Sequence, residues 1–197
     1  MVRSELEKLL SSYVDVLILK NHGEYDFGSY KRGFFFLKEK GILDSADKLI
    51  FCNDSVIFQG RSLEPFFKRE ENKDFYGFTS YKRGMYPDTF EWDYMLHIQS
   101  YFLSISKEIY SKDWFIDFMS SIEKQNHKYN VVAKYEIGIS KLIENHGYEL
   151  TSFYPKLETE PCRTFLARFS GFHKELEELF FLEKRQYATA YNNGIMM

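Results

Sequence analysis

The chain has 197 residues, enough for one domain with a sizeable core and too few for two. A net charge of −3 lacks the basic excess that a nucleic-acid partner requires. Hydrophobic residues make up 44%, with no apolar run of membrane-spanning length, so the composition is that of a globular domain without a transmembrane segment.

The aromatic share is high, with 20 Phe and 15 Tyr. It implies either a Phe-rich core or exposed rings that stack on sugars or anchor an interface. Cys52 and Cys162 form neither a zinc pattern nor a disulfide framework. The N-terminus MVRSELEKLLSSY carries acidic residues and no long apolar segment, so it does not read as a signal peptide. The expected compartment is the cytoplasm, with any membrane work peripheral and at the inner face.

In chain order, residues 3–12 read as a short amphipathic helix, with Leu6, Leu9 and Leu10 on one side. VDVLILK (14–20) has the composition of a buried parallel strand. The turn-rich NHGEYDFGS follows, then a helix over 29–40 with Gly41 as its stop. DKLIFC (47–52) is a second buried strand, ended by the polar NDS. SLEPFFKRE (62–70) makes a short helix with Pro65 in its first turn. DFYGFTS (74–80) is a strand, 81–95 a long connection, and HIQSYFLSIS (97–106) another strand.

Residues 107–126 are helical, and NVVAKYE (130–136) is extended. IGISKLIENHG is a helix ended by Gly147, and YELTSFYP (148–155) an extended exit. A helix from roughly 163 to 190, bent near Gly171, completes the chain. Strands alternating with helices imply an α/β domain over residues 1–155, with a mostly parallel sheet flanked by helices and a C-terminal helical extension over 156–197.

Four stretches carry groups suited to chemistry. Asp54, between Asn53 and Ser55, follows a buried strand at the sheet edge where α/β folds bind ligands. Its hard oxygens suit Mg²⁺ or Mn²⁺, although an Asx turn leaving the strand would use the same residues. In NHGEYDFGSYKRG (21–33), Asn21, Gly23, Asp26 and Lys31 could approach a ligand, or Asp26 could simply cap the helix. Glu136 stands where an extended segment meets a helix. It could act as a general base or merely favour the helix dipole. His97, Gln99 and Tyr101 alternate along one predicted strand face and suit a hydroxyl-rich ligand.

In this order, NHGEYDFGSYKRG, LIFCNDSV, DFYGFT, HIQSYFL and YE with GY downstream resemble the rhamnan synthesis F family over about residues 14–155. That family looks like family 2 glycosyltransferases of the GT-A fold. The resemblance implies transfer of a sugar from a nucleotide donor to a glycan or lipid-linked glycan of the bacterial cell surface (rhamnan, O-antigen or capsule). Asn21, Gly23, Asp26, Lys31, Asn53, Asp54 and Ser55 would line the donor. Asp54 would hold the metal, and Glu136 would be the base. His97, Gln99 and Tyr101 would touch sugar or acceptor. Only 13 residues precede VDVLILK, so the first nucleotide-binding strand of a GT-A sheet is expected to be missing. Such a sheet is expected to need a second copy or a partner chain. The alternative implied function is a non-catalytic binding or scaffold subunit of a polysaccharide-assembly system.

Overall fold

A computed structural model describes residues 2–54, 56–58, 62–85, 92–157 and 182–184. The elements are α1 (Val2–Ser11), α2 (Tyr25–Glu39), β1 (Lys48–Cys52), β2 (Val56–Phe58), α3 (Glu64–Glu70), β3 (Phe75–Met85), β4 (Trp92–Ile98), β5 (Phe102–Ser106), α4 (Lys107–Tyr110), α5 (Asp113–Ser120), α6 (Lys128–Val131), α7 (Gly138–Asn145), β6 (Thr151–Leu157) and β7 (Leu182–Lys184). A 3₁₀ turn at Ile42–Asp44 follows α2, and a π-helical stretch, Val132–Ile137, joins α6 to α7.

The main sheet is mostly antiparallel, which corrects the parallel expectation. β1 pairs β5, and β3 pairs both β5 and β4, all antiparallel. Only β6 runs parallel to β3. The connections explain this. Parallel neighbours need a crossover of a dozen or more residues. β6 has one, because α4 to α7 intervene, whereas β3, β4 and β5 follow one another closely.

β6 and β5 overlap along the start of β3, and β6 and β4 overlap at Tyr81. β4 and β5 therefore lie end to end on the same side of β3. The pairing Gly77–Leu103 is followed by Ser80–Ile98, so Phe78 and Thr79 face Gln99, Ser100, Tyr101 and Phe102. The predicted strand 97–106 is thus two strands separated by a bulge of the kind that re-aims side chains. Gly77 admits this bulge, since a Cβ there would run into Ile98 and the Phe102 carbonyl.

One core lies between the sheet and the helices α2, α5 and α7, built on Phe27, Phe34, Phe51, Leu103, Phe115 and Ile143. The other face carries a smaller cluster in which Phe66 of α3 packs on Tyr76, Phe78 and Phe153. Many of the rings that enrich the composition are therefore spent in the cores. Glu70 of α3 is buried, ion-paired to Lys48 at 2.9 Å and bonded by the Ser104 hydroxyl at 2.5 Å. These contacts pin α3 to β1 and β5.

Three further expectations are corrected. VDVLILK forms no strand. Among the described residues its backbone has no recorded partner, and Val14, Val16, Ile18 and Leu19 are exposed. A strand without a neighbour leaves its amides to water. NVVAKYE is helical rather than extended. Val131, Tyr135, Ile139 and Ile143 are all buried, and this four-residue spacing sets one helical stripe against the core, overriding the strand preference of the valines. The connection 81–95 begins and ends as the strands β3 and β4. The C-terminal helix falls outside the described residues, except at Leu182–Lys184, which form a strand antiparallel to β2.

Candidate functional site

The C-terminal end of β1, the first turn of α2, the bulge after β4 and the π-helical stretch meet at one place. Asp26 stands in the first turn of α2, and its Oδ2 accepts from Asn53 Nδ2 at 2.9 Å. α2 starts without a side-chain cap, and Tyr25, just before Asp26, adopts φ 54°. That conformation is strained for an aromatic residue and is the kind held where structure around it insists.

Lost solvation first, then the neighbouring Asp54 carboxylate, hold the Asp26 carboxyl above its ordinary value of 3.8. Lys128 and the Asn53 amide oppose the shift, and Glu136 adds a smaller push upward. Asp26 and Asp54 are both exposed, so this carboxylate pair faces solvent.

Glu136 is tied to the bulge. Its Oε2 accepts from the Ser100 N–H at 2.9 Å and from the Ser100 hydroxyl at 2.5 Å. Its Oε1 lies 3.6 Å from His97 Nε2. The other ring nitrogen of His97 is 2.7 Å from the Met95 carbonyl. A carbonyl only accepts, so Nδ1 carries the proton and Nε2 is the atom turned to Glu136. π-helical turns inside helices recur at functional sites, and this one carries the carboxylate.

Tyr30 bridges the two halves. It lies one turn after Asp26, and its hydroxyl donates to the Ser100 carbonyl at 3.0 Å. Burial, and then the Asp26 charge, push the phenol far above its usual range, which leaves it a fixed donor. The Asn53 N–H donates to the Tyr101 carbonyl at 3.2 Å, tying the end of β1 to the same bulge.

Among the predicted site residues, Asp26, Asn53, Asp54, His97 and Glu136 come together. Gly23 lies under the Lys124 side chain. Lys31 donates to the carbonyls of Ser120 and Ile122 at 2.6 and 2.8 Å. It thus closes the end of α5, and its charge acts on Glu123. Asn21 precedes α2 on the exposed surface, and Ser55 lies outside the described residues. Gln99 and Tyr101 do not share a strand face with His97. Both stand in the bulge and bond the Thr79 hydroxyl, at 2.8 and 2.7 Å.

Ser100, Tyr30 and Lys128 were missed by the sequence reading. Tyr30 was readable as the residue four after Asp26 on one helix face. Ser100 carried no such signal, because a strict alternation turns it away from His97. Among the described residues no three His, Cys, Asp or Glu side chains form a metal-holding group. No helix among them is long and apolar enough to cross a membrane.

The family profile described as rhamnan synthesis protein F matches residues 1–187. The uncharacterized protein y4gN of Sinorhizobium fredii (strain NBRC 101917 / NGR234) is 29% identical over 147 residues, which cover 74% of this chain and 36% of that protein. The chain thus spans about a third of the length of the curated relative it matches. No solved structure matches the chain. With the profile covering most of its length, the chain belongs to the rhamnan synthesis protein F family.

Proposed function

We propose that the chain is a glycosyltransferase domain acting in bacterial cell-surface polysaccharide synthesis, moving a sugar from a nucleotide donor to a glycan or lipid-linked glycan acceptor. Family membership supports the polysaccharide setting. The observation that carries the chemistry is the meeting of Asp26, Asp54, Glu136 and His97, drawn from four distant stretches, beside the end of β1.

In this reading Glu136 is the base. Oε2 is held by two Ser100 donors, which leaves Oε1 beside His97 to take the proton of an acceptor hydroxyl. The freed oxygen attacks the anomeric carbon, the bond to the nucleoside diphosphate breaks, and the configuration inverts. Asn53, Asp54 and Asp26 line the donor diphosphate, with Asn21, Gly23 and Ser55 in the flanking turns. Lys31, committed to α5, plays no part.

The oxygen donors of Asp26 and Asp54 fit Mg²⁺ or Mn²⁺ in kind. A bound cation there would supply charge neutralisation to the diphosphate. A GT-A relationship fits a polar turn at the end of β1 and a carboxylate on the helix opposite it. The protein would work in the cytoplasm or at the inner face of the membrane.

A second reading, a non-catalytic binding or scaffold subunit, is favoured by Asn53 standing where a second carboxylate is expected. Incubation with a panel of nucleotide sugars, with and without Mn²⁺, separates the two. Release of nucleoside diphosphate that disappears in Glu136→Gln supports the enzyme. Saturable binding without release supports the subunit.

A further inference from the structure

We infer that the groove between α3 and β6 is a second binding site, taking an anionic group (phosphate or carboxylate) borne on a hydroxyl-rich molecule. The groove encloses about 490 Å³ and is lined by Arg69, Lys73, Tyr76, Ser80, Glu149 and Ser152, among others. It lies apart from Glu136. Tyr76, Phe78 and Phe153 belong to the cluster on the α3 face, whereas Tyr135 and Ile139, flanking Glu136, belong to the core on the opposite face.

The cations are presented in different ways. The Arg69 guanidinium lies over the Phe153 ring, 4.4 Å from its centroid. The contact anchors the guanidinium beside the groove, and its N–H fork suits an oxyanion. Lys73 Nζ sits 3.5 Å from a Glu149 carboxylate that is mostly in solvent. Such a pair is worth little, and an incoming anion displaces it readily.

Tyr76 supplies a further donor. It is only 3% exposed, and its ring is fixed against Phe66 at 4.9 Å. Tyr76 lines the groove, and its hydroxyl makes no hydrogen bond among the described residues. The hydroxyl is not among the buried polar atoms left without a partner, so water reaches it and an incoming anion can take that water's place. Burial pushes this phenol up to about 12, so it keeps its proton at neutral pH and can only donate to an anion. Ser80 and Ser152, whose hydroxyls are 3.1 Å apart, and the Glu149 carboxylate offer partners for hydroxyls on the same ligand.

Titration calorimetry on the full chain tests this with four probes: glucose 1-phosphate, glucuronate, inorganic phosphate and neutral rhamnose. The expected result is binding of one or both anionic sugars, with free phosphate weaker and rhamnose weaker still. The phosphorylated and carboxylated probes decide which anion the site prefers. Tyr76→Phe and Lys73→Ala should each weaken the preferred probe by about tenfold or more, the worth of one hydrogen bond to a charged group. Glu136→Gln should leave it unchanged, which keeps this site separate from the proposed catalytic one. Thermal melts verify that each variant folds, and Lys73, whose side chain is 40% exposed, serves if Tyr76→Phe does not. Parental affinity in both groove variants overturns the inference, as does the absence of binding by every anionic probe, or binding lost only in Glu136→Gln.

Discussion

Glu136 and Ser100 hold one another across an irregularity in the sheet, with the carboxylate taking both the amide and the hydroxyl of the serine on a single oxygen, at 2.9 and 2.5 Å. The Gln99 amide donates to the Thr79 carbonyl of β3 and the Ile98 amide turns away to the Ser140 hydroxyl; in the bulge just beyond them the Ser100 amide goes to Glu136 of the π-helical turn. Two local departures from regular structure thus converge on one contact, and departures of this kind concentrate at functional sites.

Glu136→Gln tests that contact without breaking it, because the amide oxygen still accepts from Ser100. Transfer should fall by about 10²–10⁴-fold, the usual worth of a general base, with donor affinity nearly unchanged. Steady-state kinetics alongside donor titration reads both quantities. Turnover close to the parent removes Glu136 from the base role.

Asp26 gives a pH-dependent expectation. Its carboxyl is held above 3.8, so the folded state binds the proton more tightly than the unfolded chain. This contribution is fully present below the ordinary carboxylate value and is lost as pH rises through the raised one. Asp26→Asn keeps an oxygen for the Asn53 amide and has no charge to expose. The variant should therefore melt higher than the parent at neutral pH, with the gap closing in acid below 3.8. A gap that stays constant across that range, or has the opposite sign, contradicts the assignment of the strain to this carboxyl. Activity should fall in the same variant, the usual exchange between stability and function at a charged site.

Lys48 provides a test remote from the site. It pairs with Glu70, whose side chain is 7% exposed, and also donates to the Lys73 carbonyl. Lys48→Met strands the glutamate in the interior with only the Ser104 hydroxyl. The cost should be about 3–5 kcal/mol, the range for breaking a buried pair from one side. Urea unfolding measures it, and a loss within the range of a surface substitution would mean that water reaches Glu70 freely.

The residues of the site were legible one by one, and their partners were not. Asp54 and Asp26 announce themselves as carboxylates beside a strand end and a helix start. Glu136 stands out before a helix. What joins them is tertiary: Tyr30 reaches Ser100, seventy residues away in sequence. The run 97–106 has strand composition throughout, and its break depends on Gly77 in another strand making room. The parallel sheet was misread for a similar reason. DKLIFC and HIQSYFLSIS are apolar enough for a sheet buried on both faces, yet alternate residues of β1 are exposed. The antiparallel run of β3, β4 and β5 follows from its short connections rather than from composition.

The segment Val14–Lys20 supports the last prediction. It holds five branched apolar residues in seven, a composition suited to a buried strand, and four of them lie exposed without a recorded backbone partner among the described residues. Tyr13 and Leu9 extend the exposed apolar surface toward α1. Among the described residues β1 pairs with β5 alone, and its Ile50 is exposed. A chain bearing both an unpaired apolar segment and a sheet edge can satisfy each with a second copy, since a two-fold arrangement lets each copy supply what the other lacks. The isolated chain should therefore self-associate in size-exclusion chromatography with light scattering, above the 23.6 kDa of a single chain. Ile18→Lys should shift it toward that mass, because a charge in the middle of the segment opposes burial. Its thermal melt should otherwise change little, since the side chain has few neighbours to lose. A parent that runs as a monomer at every concentration, with Val14–Lys20 protected from hydrogen exchange, would show that the segment finds its neighbour within its own chain.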